Sequence, residues 1–453
     1  MGKYFGTDGF RGEAGVGITA YDGFRLGRAL GEYYKRELSK PRAVIGKDTR
    51  LSSYMLEYAV AAGLSSVGVD AYMLHVTTTA SVAFVTRTEG FDFGIMISAS
   101  HNPFYDNGIK VIGSEGEKLP DAVTEELEAL MESGRARDAS GEDIGRIVDH
   151  YSGRNRYTGY LISTASHSLS RLRIGLDCAN GAAFAIARSV FLALGAEVHS
   201  IGCSPNGRNI NDEVGSTHVE ALSRLVRERG LDVGFAFDGD ADRCIAVDER
   251  GEIVNGDHVL YILATLMRAQ GELADNTVVC TVMSNLGLER ALLSLGIRCE
   301  RTAVGDRFVY ERMAERGYSL GGEQSGHIII SKYATTGDGI LTAIRLSEAM
   351  LSEGKPLSCL ASPVMMLPQL TISIRVRDKA IADNDAVKRA AKDASERLGG
   401  SGRLLIRPSG TEPVVRVMIE GEDGELCNAL ASELADLIRR EDEAGYTPPR
   451  DEL

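Results

Sequence analysis

The sequence predicts an α/β protein, built from three related α/β units and a smaller C-terminal α+β module. Two observations carry this. A strand–turn–helix–Gly–strand rhythm recurs three times, and in each copy a glycine (Gly68, Gly195, Gly296) follows the last apolar helix position. A left-handed C-cap is wanted there, before the next strand resumes. The last stretch, a module of roughly 85 residues, instead reads strand, helix, strand, helix.

The first copy runs from a strand at 43–46 through the turn 47–50 into a helical stretch, then a strand at 69–74. The second has a strand at 172–176, a turn at 177–181, a helix reaching Phe191 and Leu194, and a strand at 196–201. The third has a strand at 277–282, a turn at 283–287, a helix reaching Leu292 and Leu295, and a strand at 297–302. Such alternation places strands on mixed or parallel sheets. Apolar runs at 93–97 and 233–237 add strands, and 154–163 and 259–267 read as helices. In the last region 370–376 and 414–419 are strands, 385–398 is the helix between them, and a final helix lies near 427–440. Polar, Gly-rich 134–149, Gly256 and the prolines at 363–368 mark the seams. The expected domains are therefore 1–152, 153–256, 257–367 and 368–453.

Of the 453 residues 43% are hydrophobic and 25% charged, and the formal net charge is −14. That charge argues against a nucleic-acid partner, which would select a basic face. Seven cysteines without a C-x-x-C pair read as reduced, mostly core residues and not as a disulfide framework or zinc site. No run approaches the roughly 18 apolar residues of a membrane span. The N-terminus has no apolar signal core, so a cytoplasmic protein without membrane contact is expected. The terminal Arg-Asp-Glu-Leu resembles a retrieval address, which is not read without an entry signal.

Residues 97–110 (ISASHNPFYDNGIK) place Ser100 in a turn after an apolar strand, which is expected to expose it at a sheet edge. His101, Asn102, Asn107 and Lys110 supply donors and bases around it, as a phosphoryl acceptor requires. Residues 235–243 (FAFDGDADR) place Asp238, Asp240 and Asp242 at alternate positions, pointing one way in an extended or gently curled loop. Three converging carboxylates repel unless a hard cation with oxygen ligands, such as Mg²⁺, lies between them. An EF-hand is excluded because Arg243 stands at loop position six, where glycine is required.

Residues 407–416 (RPSGTEPVVR) offer Ser409, Gly410 and Thr411 in a tight turn flanked by Arg407 and Arg416. Backbone nests and guanidinium forks of this kind hold phosphate. Residues 321–327 (GGEQSGH) bring Glu323 and Ser325 for ligand hydroxyls and His327, an imidazole suited to giving or taking a proton. Arg11 sits in the Gly-rich turn 7–12.

These four segments, in this order and over nearly the whole chain, resemble the α-D-phosphohexomutase superfamily. GTDGFRG, DCANG at 177–181, NIN with GSTH at 209–218, and GEQSGH resemble its branch acting on glucosamine phosphates. The resemblance implies four domains around one cleft, and Ser100 carried as phosphoserine. It implies one Mg²⁺ per chain, held by Asp238, Asp240, Asp242 and a Ser100 phosphate oxygen. Arg243, Glu323 and Ser325 would contact the sugar, and Arg407, Ser409, Gly410, Thr411 and Arg416 the non-reacting phosphate. Arg11, His101, Lys110 and His327 would assist transfer. The expected reaction interconverts glucosamine 6-phosphate and glucosamine 1-phosphate, with a hexosamine or hexose 1,6-bisphosphate as activator and a homodimer as the assembly. The alternative is a mutase of broader glucose and mannose phosphate preference. Two departures stand out. Ala241 replaces a common glycine, which should only stiffen the metal loop, and 76–84 lacks the prolines many relatives carry.

Overall fold

The computed structural model describes residues 4–6, 9–409 and 413–444. The chain forms two compact units, residues 1–283 with 296–363 and residues 284–295 with 364–453.

The first unit holds three sheets. The largest has seven strands in the order Phe5–Gly6, Gly9–Glu13, Asp106–Gly113, Phe93–Ile97, Arg42–Lys47, Asp70–Val76, Ile147–Asp149. The second orders Ile253–Val254, Cys244–Asp248, Val233–Phe237, Arg173–Asp177, Glu197–Ile201, and the third Arg298–Thr302, Thr277–Thr281, Leu320–Gly322, Ile328–Ile330. Phe93–Ile97 and Val233–Phe237 are apolar at nearly every position and buried throughout, as strands covered on both faces must be.

All three sheets share one device. Parallel strands end in a strand that turns back antiparallel: Phe93–Ile97 against Asp106–Gly113, Val233–Phe237 against Cys244–Asp248, and Leu320–Gly322 against Ile328–Ile330. The connections between these strand pairs are the serine, carboxylate and GEQSGH loops.

Helices Ala20–Tyr34 and Leu51–Ser66 pack backbone to backbone. A Cβ on Gly27 would lie 2.5 Å from the Val60 carbonyl oxygen, and one on Gly63 would lie 2.2 Å from that of Phe24. Only glycine permits this approach.

In the second unit Gln369–Arg375, Val414–Gly421 and Gly402–Pro408 form an antiparallel sheet with Val414–Gly421 central. Helices Asp385–Leu398 and Gly424–Glu443 cover one face, burying Val387, Ala394, Leu430 and Leu434 against Ile374, Val415, Val417 and Ile419. Helix Leu286–Ser294 belongs to this unit, and Asn285 Nδ2 donates to the Leu367 carbonyl at 3.0 Å.

Three local readings change. The second-copy helix breaks into a 3₁₀ turn, Ala182–Ala185, and a short helix, Ala187–Ala193. Gly402–Pro408 is a strand that sequence reasoning did not see. The proline-poor 76–84 closes strand Asp70–Val76 and opens helix Thr79–Thr88, whose N-cap Thr78 accepts from Ser81 N at 3.1 Å. Four cysteines (178, 244, 280, 427) are buried thiols, whereas Cys359 is exposed.

Candidate active site

Ser100 is not exposed at a sheet edge; it is 1% accessible. The reason is the neighbouring carboxylate loop, since the Ser100 hydroxyl donates to Asp238 Oδ2 at 2.5 Å. Its backbone is left-handed, φ 53°, which costs a non-glycine residue about 1–2 kcal/mol. The surrounding hydrogen bonds must offset that cost.

Asp238, Asp240 and Asp242 are buried, with one oxygen from each within 4.8 Å of the others. They converge through a turn and not through extended backbone. Ala241 sits at φ 57°, so alanine here costs strain where it was expected only to stiffen the loop. Burial, and then the negative charges of Asp242 and Asp240, push the Asp238 pKa well above the usual carboxylate range. Asp242 Oδ1 is buried without a hydrogen-bond partner among the described residues. A hard divalent cation fits this oxygen set, because it would neutralise the repulsion and occupy that orphaned oxygen.

Lys110 is 4% accessible, not a surface lysine, and its Nζ donates to Asp240 Oδ2 at 2.9 Å and Asp242 Oδ2 at 3.1 Å. Arg243 N–H donates to Asp238 Oδ1 at 3.1 Å, and its Nη1 lies 3.2 Å from His101 Nδ1. His101 Nδ1 is also 3.4 Å from Ser100 Oγ. Burial, then the charges of Arg243 and Arg11, press the His101 pKa down to about 4. The imidazole is therefore neutral near pH 7 and accepts the Arg243 N–H.

The third loop joins the same centre. Arg243 and His327 form an antiparallel backbone bridge, and Cys244 N–H donates to the Gly326 carbonyl at 3.0 Å. His327 Nε2 lies 3.2 Å from Asp306 Oδ2, and Lys118 Nζ donates to Asp306 Oδ1 at 2.8 Å. Glu323 accepts from Gly305 N at 3.1 Å, and burial raises its pKa; Ser325 is exposed on the same loop.

Ser100, His101, Lys110, Arg11, the three aspartates, Arg243, Glu323, Ser325 and His327 thus belong to one compact unit. Arg407, Ser409 and Arg416 belong to the other; Gly410 and Thr411 lie outside the described residues. Within that unit Arg407 and Arg416 face each other across paired strands. Burial, and next the Arg416 charge, lower the Arg407 pKa. Lys379 Nζ donates to the Ser409 carbonyl at 2.9 Å. Three cations thus cluster at one turn, a charge arrangement that suits an anion.

Sequence reasoning missed Thr79, Lys118, Asp306 and Lys379. Thr79 was findable as the hydroxyl nearest the helix start after a strand; its Oγ donates to Asp240 Oδ2 at 2.6 Å and its N–H to the Asp240 carbonyl. Asp338 caps helix Gly339–Glu353, accepting from Leu341 N at 3.0 Å and from the Tyr157 hydroxyl at 2.8 Å, and burial pushes its pKa up to about 6. A carboxyl raised from its ordinary value of 3.8 contributes stability that is complete below that value and lost as pH rises through 6. Asp338→Asn keeps an acceptor for Leu341 N and turns an amide donor toward the Tyr157 oxygen, without the charge. It is expected to flatten the fall in stability between about pH 4 and 6, by on the order of 1–3 kcal/mol. Unchanged pH dependence in thermal melts would refute it.

Comparison with known proteins agrees with this geometry. Family models of phosphoglucomutase/phosphomannomutase α/β/α domains I, II and III match residues 2–138, 155–251 and 255–366, and the model of the C-terminal domain matches 372–437. A curated phosphoglucosamine mutase from Lachnospira eligens is 55% identical over 97% of this chain and 99% of its own length. The chain belongs to the α-D-phosphohexomutase superfamily. Among other phosphohexomutases, the phosphoglucosamine mutase of Geobacillus kaustophilus is 49% identical over 97% of this chain and 99% of its own. The fold is shared with a Burkholderia thailandensis phosphoglucomutase/phosphomannomutase family protein (TM-score 0.83, 23% identity, 98% and 99% of the two chains). It is also shared with the Aspergillus fumigatus N-acetylphosphoglucosamine mutase solved with GlcNAc-6P and magnesium (TM-score 0.68, 18% identity, 97% and 96%). No helix among the described residues is long and apolar enough to cross a membrane.

Proposed function

We propose that the chain is a phosphoglucosamine mutase, interconverting glucosamine 6-phosphate and glucosamine 1-phosphate through phosphoserine 100 and a bound 1,6-bisphosphate. The observation that carries this is the Ser100 hydroxyl bonded into a buried three-carboxylate cage. The amino-sugar assignment is supported by 55% identity to a curated phosphoglucosamine mutase.

Phosphoserine 100 passes its phosphoryl group to one hydroxyl of the monophosphate, and that hydroxyl proton is taken up by a base. The resulting bisphosphate turns over, and its other phosphoryl group returns to Ser100. Phosphoryl transfer depends mainly on positioning and on neutralising charge. Asp238, Asp240 and Asp242 would hold one Mg²⁺, which when bound supplies positive charge to the phosphoserine oxygens. Lys110 keeps the carboxylates in place and adds positive charge beside the transferred group. Arg243 and Arg11 stay charged and neutralise phosphate, and His101, held neutral, can accept a hydrogen bond beside Ser100. His327 can take up the hydroxyl proton. Glu323 and Ser325 hold sugar hydroxyls, and the Arg407–Arg416 turn with Ser409, Gly410 and Thr411 holds the non-reacting phosphate. The domain division at 152, 256 and 367, the homodimer and the cytoplasmic location belong to the same reading; light scattering should return twice the chain mass.

The direct test is turnover with Mg²⁺ and a trace of hexose 1,6-bisphosphate, comparing glucosamine 6-phosphate with glucose 6-phosphate and mannose 6-phosphate. The expected result is a kcat/KM at least tenfold higher for the amino sugar. Equal or reversed values would move the assignment to a general phosphohexomutase, and net release of inorganic phosphate would make it a phosphatase.

A further inference from the structure

The left-handed Ser100 is held by its carbonyl, and the groups holding it come from outside its own loop. Arg50, fully buried, donates from Nη2 to the carbonyls of Ser100 and Asn102, both at 2.8 Å. Asp48 fixes that guanidinium through Nε at 2.8 Å. Asp48 also accepts from the Ser98 hydroxyl at 2.7 Å, and Ser98 Oγ accepts the Ser100 N–H at 3.0 Å. A second donor reaches the same two carbonyls from another sheet's loop. Asn211 Nδ2 lies 2.9 Å from Ser100 O and 3.0 Å from Asn102 O.

Asn211 is itself built in. It sits at φ 58°, its N–H donates to the Ala179 carbonyl at 2.9 Å, and it is 7% accessible. Asn180 Nδ2 ties the preceding turn by donating to the Asn209 carbonyl at 3.1 Å, and Thr49 Oγ donates to the Asn180 carbonyl at 2.5 Å. Gly239, in the carboxylate loop, lets the serine loop come this close; a Cβ there would lie 2.5 Å from Ser100 O. The DCANG and NIN segments therefore converge on the backbone of the reacting serine, a place no catalytic role yet explains.

We propose that Asn211 is a positioning residue for phosphoryl transfer. It fixes the Ser100 carbonyl so that the side chain keeps its aim at Asp238 while Ser100 gains and loses a phosphoryl group. The sheet that supplies the carboxylates then also sets the orientation of the serine. Asn211 is not among the residues proposed to hold the sugar or the distal phosphate, so its loss should act on transfer and not on substrate affinity.

The inference rests on the mutase reading, so wild-type turnover is measured first; its absence would defeat that reading and leave the carbonyl clamp a purely structural feature. With wild type active, Asn211→Gly removes the amide while keeping a backbone at ease with positive φ. Asn211→Asp keeps shape and backbone preference but sets acceptors against two carbonyls. Both should fold. The glycine variant should lose tenfold or more in kcat with KM for the sugar phosphate within twofold. Phosphorylation of Ser100 by the 1,6-bisphosphate, followed by intact mass, should slow by a similar factor, and half-saturating Mg²⁺ should rise. The aspartate variant should be worse than glycine in all three. A kcat within twofold of wild type in both variants would overturn the proposal. So would a loss of kcat with Ser100 phosphorylated at the wild-type rate.

Discussion

Ser100→Ala is expected to cut turnover by at least about 10⁴-fold, the scale seen when a nucleophile that works as part of a unit is removed. The protein should remain folded. Alanine tolerates φ 53° no worse than serine, and the lost contacts are the hydrogen bond to Asp238, which keeps the Arg243 N–H, and the longer one to His101. Substrate binding should persist, because the proposed sugar and distal-phosphate contacts lie on other loops. The distinguishing readout is covalent: incubation with labelled 1,6-bisphosphate should phosphorylate wild type once and the variant not at all. Normal turnover by the variant would remove the phosphoserine mechanism altogether.

The second large effect concerns the cage. Chelation should abolish turnover, and added Mg²⁺ should restore it. Asp240→Asn gives a sharper test because its two consequences have opposite signs. In the metal-free protein, removing one of three mutually repelling buried carboxylates should raise thermal stability. With Mg²⁺ present, wild type should gain about 2.7 kcal/mol at a hundredfold excess over its dissociation constant, whereas the variant should gain little. Thermal shifts with and without Mg²⁺ would show the curves crossing. A variant stabilised by Mg²⁺ as much as wild type would place the ion elsewhere.

The fold class was legible because each α/β copy carries its own punctuation. Gly68, Gly195 and Gly296 all take positive φ, as a helix C-terminus feeding a strand needs. Helix Asp385–Leu398 was legible to the residue, since its apolar positions keep one period and Asn384 caps it. The carboxylate cage was legible because alternate acids between small residues have few other uses. Strand Gly402–Pro408 was hidden by its composition; two glycines precede it, and its charged Arg403 and Arg407 read as turn. Ser100's burial was invisible because it depends on Asp238, more than a hundred residues away. Lys118 and Asp306 acquire their roles only through such long-range contacts, which local pattern does not encode.

The three reactive loops share one address, the return bend after the last parallel strand of a repeated sheet. Labour is thereby divided among interchangeable parts. Residues 323–325 can vary while the ladder from Leu320–Gly322 to Ile328–Ile330 stays paired and Gly326 and His327 keep their backbone contacts to Cys244 and Arg243. Changing the proposed sugar contacts Glu323 and Ser325 should therefore shift sugar preference while leaving the serine and carboxylate bends in place.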